Sequence, residues 1–162
     1  MQPIQETLAL LEGAARSHKK VIVGYSGGKD SIVTLDLCIK TFGAKSVECF
    51  FMYLVPNMSC VERELNRARQ RWGVRIRQYP HWVLHKLLTS GAYGTAWFQT
   101  DDLQFWEWKL QNIYALAMAE SGATIIAHGA KRSDSRWRKK QLGTWGKQDY
   151  MLYPLIGWRK PD

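Results

Sequence analysis

The sequence predicts an α/β fold: a single domain built on a doubly wound, mostly parallel sheet with helices on both faces. Three observations carry that prediction. From residue 21 to residue 128, short apolar runs alternate with stretches of helical periodicity, the pattern of strand–helix–strand units. The runs are mostly apolar throughout, as strands buried on both faces are. A glycine-rich turn joins the first strand to the next helix, and open parallel sheets bind ligands beyond the carboxyl ends of their strands. The 162 residues, 46% hydrophobic and 23% charged, suit one globular domain with a usable core.

Residues 4–17 read as a first helix, with Ile4, Leu8, Leu11 and Ala15 on one face. Val21–Tyr25 reads as a buried strand, and residues 30–41 as a helix stopped by Gly43. Val47–Val55 reads as a second strand, broken by Pro56-Asn57. Residues 59–72 read as a helix, with Ser59 as cap and Glu62 at capping-box distance. Arg63, Arg67 and Arg71 share its outer face, where solvated charge is the simplest reading. Val74–Tyr79 alternates and reads as a third strand, whose basic side suggests a sheet edge or a nearby anion.

Residues 81–90 read as a short helix. His81 and His85 are four apart on it, but no third ligand follows at metal spacing, so packing or surface roles are expected. Residues 91–95 read as a glycine-bounded aromatic loop of lid type. Residues 101–121 read as a long helix capped by Thr100 or Asp101, with Leu103, Trp106, Leu110, Ile113 and Ala117 on its stripe. Thr124–His128 reads as a fourth strand.

The chemistry concentrates after strands one and four. Ser26-Gly27-Gly28-Lys29-Asp30-Ser31 occupies the first turn. Paired glycines allow a tight turn and close backbone approach to a ligand. A helix start offers unpaired N–H groups and partial positive charge, which suits phosphate. Ser26 and Ser31 add hydroxyls, Lys29 adds a cation, and Asp30 suits a helix cap or a magnesium ligand. A plain glycine turn with a cap requires neither Lys29 nor the second serine. After the fourth strand, Gly129 to Lys140 holds six cations within ten residues, with Ser133, Asp134 and Ser135 among them. Leaving the sheet at the same end as the glycine loop, this segment is placed to meet it on one polyphosphate.

Ser-Gly-Gly-Lys-Asp-Ser at the end of a first strand resembles the PP-loop of the ATP pyrophosphatase superfamily. Within that superfamily the chain most resembles the phosphoadenosine phosphosulfate reductase family. Gly129, Arg132, Asp134, Ser135 and Arg138 match the family's second motif, with Lys131 where an arginine is usual. Tyr153–Trp158 resembles a third segment, with Gly157 in place of an aspartate. The resemblance covers about residues 18–158. It implies an adenine nucleotide α-hydrolase-like fold in which residues 1–162 form a single PP-loop nucleotide-binding domain.

The resemblance also implies ATP, or a related adenine nucleotide, with Mg2+. The chemistry implied is attack on the α-phosphate, release of pyrophosphate and adenylyl transfer, linked to sulfur metabolism or thiolation. On this reading Lys29, Asp30 and Arg132 are catalytic. The phosphates lie on Ser26, Gly27, Gly28, Lys29, Asp30, Ser31, Gly129, Lys131, Arg132, Ser135 and Arg138, and Asp30 holds the metal. Family reductases continue beyond the point where this chain ends, into a segment with a nucleophilic cysteine, and no cysteine follows Cys60. Sulfonucleotide reduction would then need a partner thiol. A non-catalytic nucleotide- or nucleic-acid-binding module is the remaining alternative.

Composition bounds the partners. The net charge of +9 favours polyanions, nucleotides or nucleic acid, over a merely solvated basic surface. The eight tryptophans suit a core, a homo-oligomer or partner-subunit interface, or base stacking. The three cysteines form no C-x-x-C pair, which favours a reducing, cytoplasmic setting. No apolar run approaches the ~20 residues of a membrane span, and no signal peptide opens the chain.

Overall fold

β1 (Val21–Gly24) is flanked by β2 (Val47–Tyr53) on one side and β4 (Ile125–Ala127) on the other. β3 (Ile76–Pro80) and β5 (Met151–Leu152) complete the sheet in the order β3-β2-β1-β4-β5, with every pairing parallel. The computed structural model describes residues 2–89, 108–145 and 149–159. Val21, Ile22 and Val23 are fully buried, as expected for a central strand covered on both faces. Each such side chain stabilises the fold by roughly 1.5–3 kcal/mol.

Helices cover both faces. On one, Leu11 of α1 (Gln2–Ser17), Leu35 and Cys38 of α2 (Lys29–Phe42), and Leu65 and Ala68 of α3 (Ser59–Trp72) pack with Val21, Val23 and Cys49. On the other, Ile113 and Ala117 of α5 (Leu110–Ser121) and Leu142 of α6 (Arg136–Trp145) pack with Ile22, Phe50 and Ile126. A short α4 (Trp82–Thr89) follows β3. The chain runs outward from β1 to β3, then returns across β1 to β4. The switch point therefore lies between β1 and β4, where doubly wound sheets bind their ligands.

Several elements differ from expectation. The buried face of α1 carries Thr7, Leu11 and Ala14, whereas Ile4 and Leu8 are exposed. Thr7 tolerates burial because its hydroxyl donates to Pro154 O at 2.7 Å and accepts from Trp158 Nε1 at 2.9 Å. α5 begins at Leu110, not near residue 101. Lys109 is extended, and its N–H donates to the Asn112 side chain, while Trp108 Nε1 donates to Pro80 O. Residues 101–107, Leu103 and Trp106 among them, lie outside the described residues, as does the lid-type loop 91–95. α3 is capped by the backbone of Met58, not by Ser59, and Glu62 instead accepts from Gln78 Nε2. β3 is an edge strand, but Arg77 is neutralised internally by Glu48 and Glu120, each at 2.9 Å. α6, β5 and a 3-10 turn at Arg132–Asp134 were not anticipated. Among the described residues no helix is long and apolar enough to cross a membrane.

Candidate functional site

The glycine turn leaves β1 and forms its own closed network. Gly27 sits at φ 74°, which a side-chain-bearing residue rarely adopts. The buried Ser31 hydroxyl donates to Gly28 O at 2.8 Å and accepts from the Ser26 N–H at 3.2 Å. Ser26 Oγ lies 3.2 Å from Ser31 Oγ and accepts from the Gly28 N–H at 3.4 Å. The two serines therefore hold the turn in shape. Gly28, not Asp30, is the N-cap of α2, without a side-chain cap. The first helical bond runs from Ile32 N–H to Gly28 O, so the amides of Lys29, Asp30 and Ser31 precede it.

The segment leaving β4 meets this turn. A Cβ on Gly129 would stand 2.7 Å from Asp30 O and 3.0 Å from Thr34 Oγ1, so only glycine lets the two backbones touch. Lys131 Nζ donates to Asp30 Oδ1 at 2.8 Å across 101 residues of sequence and lies 3.9 Å from Asp134 Oδ1. The Lys131 side chain is only 5% exposed, whereas that of Lys29, 3.2 Å from the same Asp30 oxygen, is 78% exposed. Burial disfavours charge on Asp30, but hydrogen bonds from Lys131 and Lys29 outweigh it and hold the carboxyl below its usual range. The hydrogen bond to Asp30 raises Lys131 in turn, against burial.

Beside this junction lies a cavity of ≈ 390 Å³, within the usual range for small-molecule sites. Its lining includes the polar residues Ser26, Asp30, Ser31, Asp134 and Arg138. It also includes a cluster of rings, Phe50, Tyr114, His128 and Tyr153. His128 packs edge-on against Phe50 at 5.8 Å and against Tyr114 and Tyr153 at 5.3 and 6.3 Å. A Cβ on Gly24 would fall 2.5 Å from the His128 ring, so this glycine makes room for the imidazole. Burial, with Arg138 adding to it, pushes the His128 pKa down to about 4, and Nε2 is buried without a hydrogen-bond partner.

The expected residues divide into two groups. Ser26, Asp30, Ser31, Gly129 and Arg138 line the cavity. Gly27, Gly28 and the exposed Lys29 form the adjoining turn. Lys131 is turned inward to Asp30. Ser135 Oγ accepts the Arg138 N–H at 3.0 Å, a helix-capping role for α6. Arg132 is exposed on the 3-10 turn, its N–H bonded to Ile156 O, and does not line the cavity. His128, Tyr114, Phe50 and Tyr153 escaped the sequence reading of the site. The available signal was a histidine at the carboxyl end of a buried strand, at the switch-point end of the sheet. Among the described residues no cluster of three His, Cys, Asp or Glu suits a metal. His81 Nδ1 accepts the Val83 N–H instead.

A sequence-family description of the phosphoadenosine phosphosulfate reductase domain matches residues 20–162. The chain belongs to this family. As a phosphoadenosine phosphosulfate reductase-family domain, it has the glycine turn and the Gly129 segment in one matched unit. No curated protein sequence matches the chain. Its fold is similar to that of a glutamine-dependent NAD+ synthetase from Acinetobacter baumannii, solved in complex with ADP. That match has a TM-score of 0.58 and 19% identity over 98% of this chain. The chain spans 30% of the Acinetobacter enzyme's length. It is similar also to an NH3-dependent NAD synthetase from Campylobacter jejuni, in complex with the nitrate ion. There the TM-score is 0.60 and the identity 13%, over 98% of this chain and 68% of the other. These likenesses place this family domain in the adenine nucleotide α-hydrolase fold.

Proposed function

We propose that the domain binds ATP, or a related adenine nucleotide, and activates an acceptor by adenylyl transfer. The observation that carries this reading is the cavity's mixed lining: aromatic rings, and with them polar groups from the start of α2, whose exposed lysine adjoins the cavity. A base stacks on the former, and phosphates take the amides and cations of the latter. An acceptor oxygen attacks the α-phosphorus. The bond from that phosphorus to the bridging oxygen breaks, and pyrophosphate leaves with the electron pair. Lys29 and Arg138 offset the charge that builds on the phosphates, and exposed Arg132, next in sequence to Lys131, adds to the positive potential. Catalysis is positioning and electrostatics rather than covalent chemistry.

Magnesium fits this set. It is commonly held by one or two carboxylates together with substrate phosphates, and Asp30 and Asp134 both line the cavity. When bound, the ion would supply charge neutralisation on the phosphate oxygens, with Asp30 as its protein ligand. Reduction by a thiol of this domain finds little support in two of its cysteines. Cys38 is buried, which pushes its thiol up to about 12, and burial raises Cys49 as well.

The test is pyrophosphate release from ATP with magnesium, with sulfate, RNA or DNA offered as acceptor. Release by the wild-type domain, reduced a hundredfold or so in Lys29→Ala, is the expected result. Equal rates in the two proteins, or nucleotide binding without any release, would contradict the catalytic reading.

A further inference from the structure

We propose that the outer face of α6 is a docking surface for single-stranded nucleic acid, and that a strand lying on it presents the acceptor at the cavity mouth. The acceptor role rests on the nucleotide reading above; the docking does not. α6 carries Arg136, Arg138, Lys139 and Lys140 in its first five residues and no acid in its ten. At about 100° per residue, Trp137 and Lys140 lie opposite the buried Leu142, with Arg136 on their flank, while Arg138 lies on the Leu142 side. Trp137 is 66% exposed, the most open large apolar side chain among the described residues.

Two features separate this face from an ordinary solvated one. α3 is also rich in arginine, but Glu64 takes Arg67 and Glu62 takes Arg69. On α6 no acid on the helix offsets the cations, and among the described residues no ion pair holds Arg136 or Lys139. In addition, the exposed indole of Trp137 stands on the same helix turn as these cations. Cations that track a phosphate backbone beside an aromatic face that stacks a base are the combination that holds a single strand without reading its sequence. Duplex DNA keeps its bases stacked inside and makes no use of the indole. The face is continuous with the site, because Arg138, one residue on from Trp137, lines the cavity. The first turn of α6 thus spans from the outer surface to the mouth.

The experiment is fluorescence anisotropy of labelled oligo(dT) and oligo(rU) with the wild-type chain, Trp137→Ala, Trp137→Phe and Arg136→Ala, across a salt series. The wild type binds, and log K falls linearly with log salt, by about 0.7 per phosphate neutralised. Trp137→Ala weakens binding about tenfold at an unchanged salt slope. Trp137→Phe restores most of it, and Arg136→Ala lowers both affinity and slope. No wild-type binding, equal affinity in Trp137→Ala, or equally Trp137-dependent binding to phosphatidylglycerol vesicles would overturn the proposal; the last would point to a lipid surface. A parallel titration with ATP separates the two readings. Trp137-dependent oligonucleotide binding without ATP binding sinks the nucleotide reading and leaves the docking surface standing. Unchanged ATP binding in Trp137→Ala with undiminished oligonucleotide affinity does the reverse.

Discussion

His128 shows how one side chain couples the cavity to folding. Its folded pKa, about 4, lies below the ordinary 6.5. Between those values the unfolded chain binds a proton that the folded chain does not. Stability is therefore full above pH 6.5 and declines as pH falls through the window toward 4. From pH 7 to pH 5 the wild type should lose about 2 kcal/mol, read as a lowered urea midpoint, and His128→Leu should lose far less. A flat wild-type profile across that window would show that the imidazole is not held neutral. Asp30 and Glu48, both held below their usual range against burial by neighbouring cations, act only at lower pH. The residues most visible in the sequence were not always those that face the cavity. Lys131 carries phosphate-binding chemistry but spends it on Asp30, and Arg132 stands exposed outside the cavity lining. His128 follows the three-residue β4, and its place at the carboxyl end of that buried strand is the one mark it carries in the sequence.

At the scale of elements, strands β1 to β4 and helices α2 and α3 were legible because each carries its own apolar pattern. α1 was legible as a helix but not in its orientation. Ile4 and Leu8 invited burial, yet Thr7 took the inner face because Pro154 and Trp158, some 150 residues away in sequence, supply its partners. Such long-range satisfaction of a polar group leaves no local trace. Replacement Thr7→Val keeps the shape and removes both bonds, leaving the buried Pro154 O and the half-buried Trp158 Nε1 without them. We expect a loss of about 1–3 kcal/mol, measured by chemical denaturation, with α1 amides exchanging faster than those of α2. No change in stability would mean that α1 docks by apolar contact alone. α6 was hidden for the opposite reason. Its basic residues mask the helical pattern, and among its described side chains Leu142 is the buried apolar one that anchors it. β5, two residues long, lies below what alternation or run length can reveal.

For the whole molecule, the decisive inference from sequence was that two distant segments leave the sheet at the same end. The order β3-β2-β1-β4-β5 places them on adjacent strands, and the Gly129–Asp30 approach and the Lys131–Asp30 bond hold them together. What the sequence did not show was the second half of the site, the aromatic chamber. Its walls come from β2, α5, β4 and the segment after β5, and no single stretch contains them. One arrangement carries the proposed function: a ring-lined chamber, proposed to take a base, beside a glycine turn and a cationic segment, proposed to take a polyphosphate. The most direct test is calorimetric titration of the wild-type domain with ATP, ADP, AMP and adenosine in the presence of magnesium. Affinity should climb with each added phosphate, ATP exceeding adenosine by at least about tenfold, or roughly 1.4 kcal/mol. Equal affinity for adenosine and ATP, or no binding of either, would contradict it.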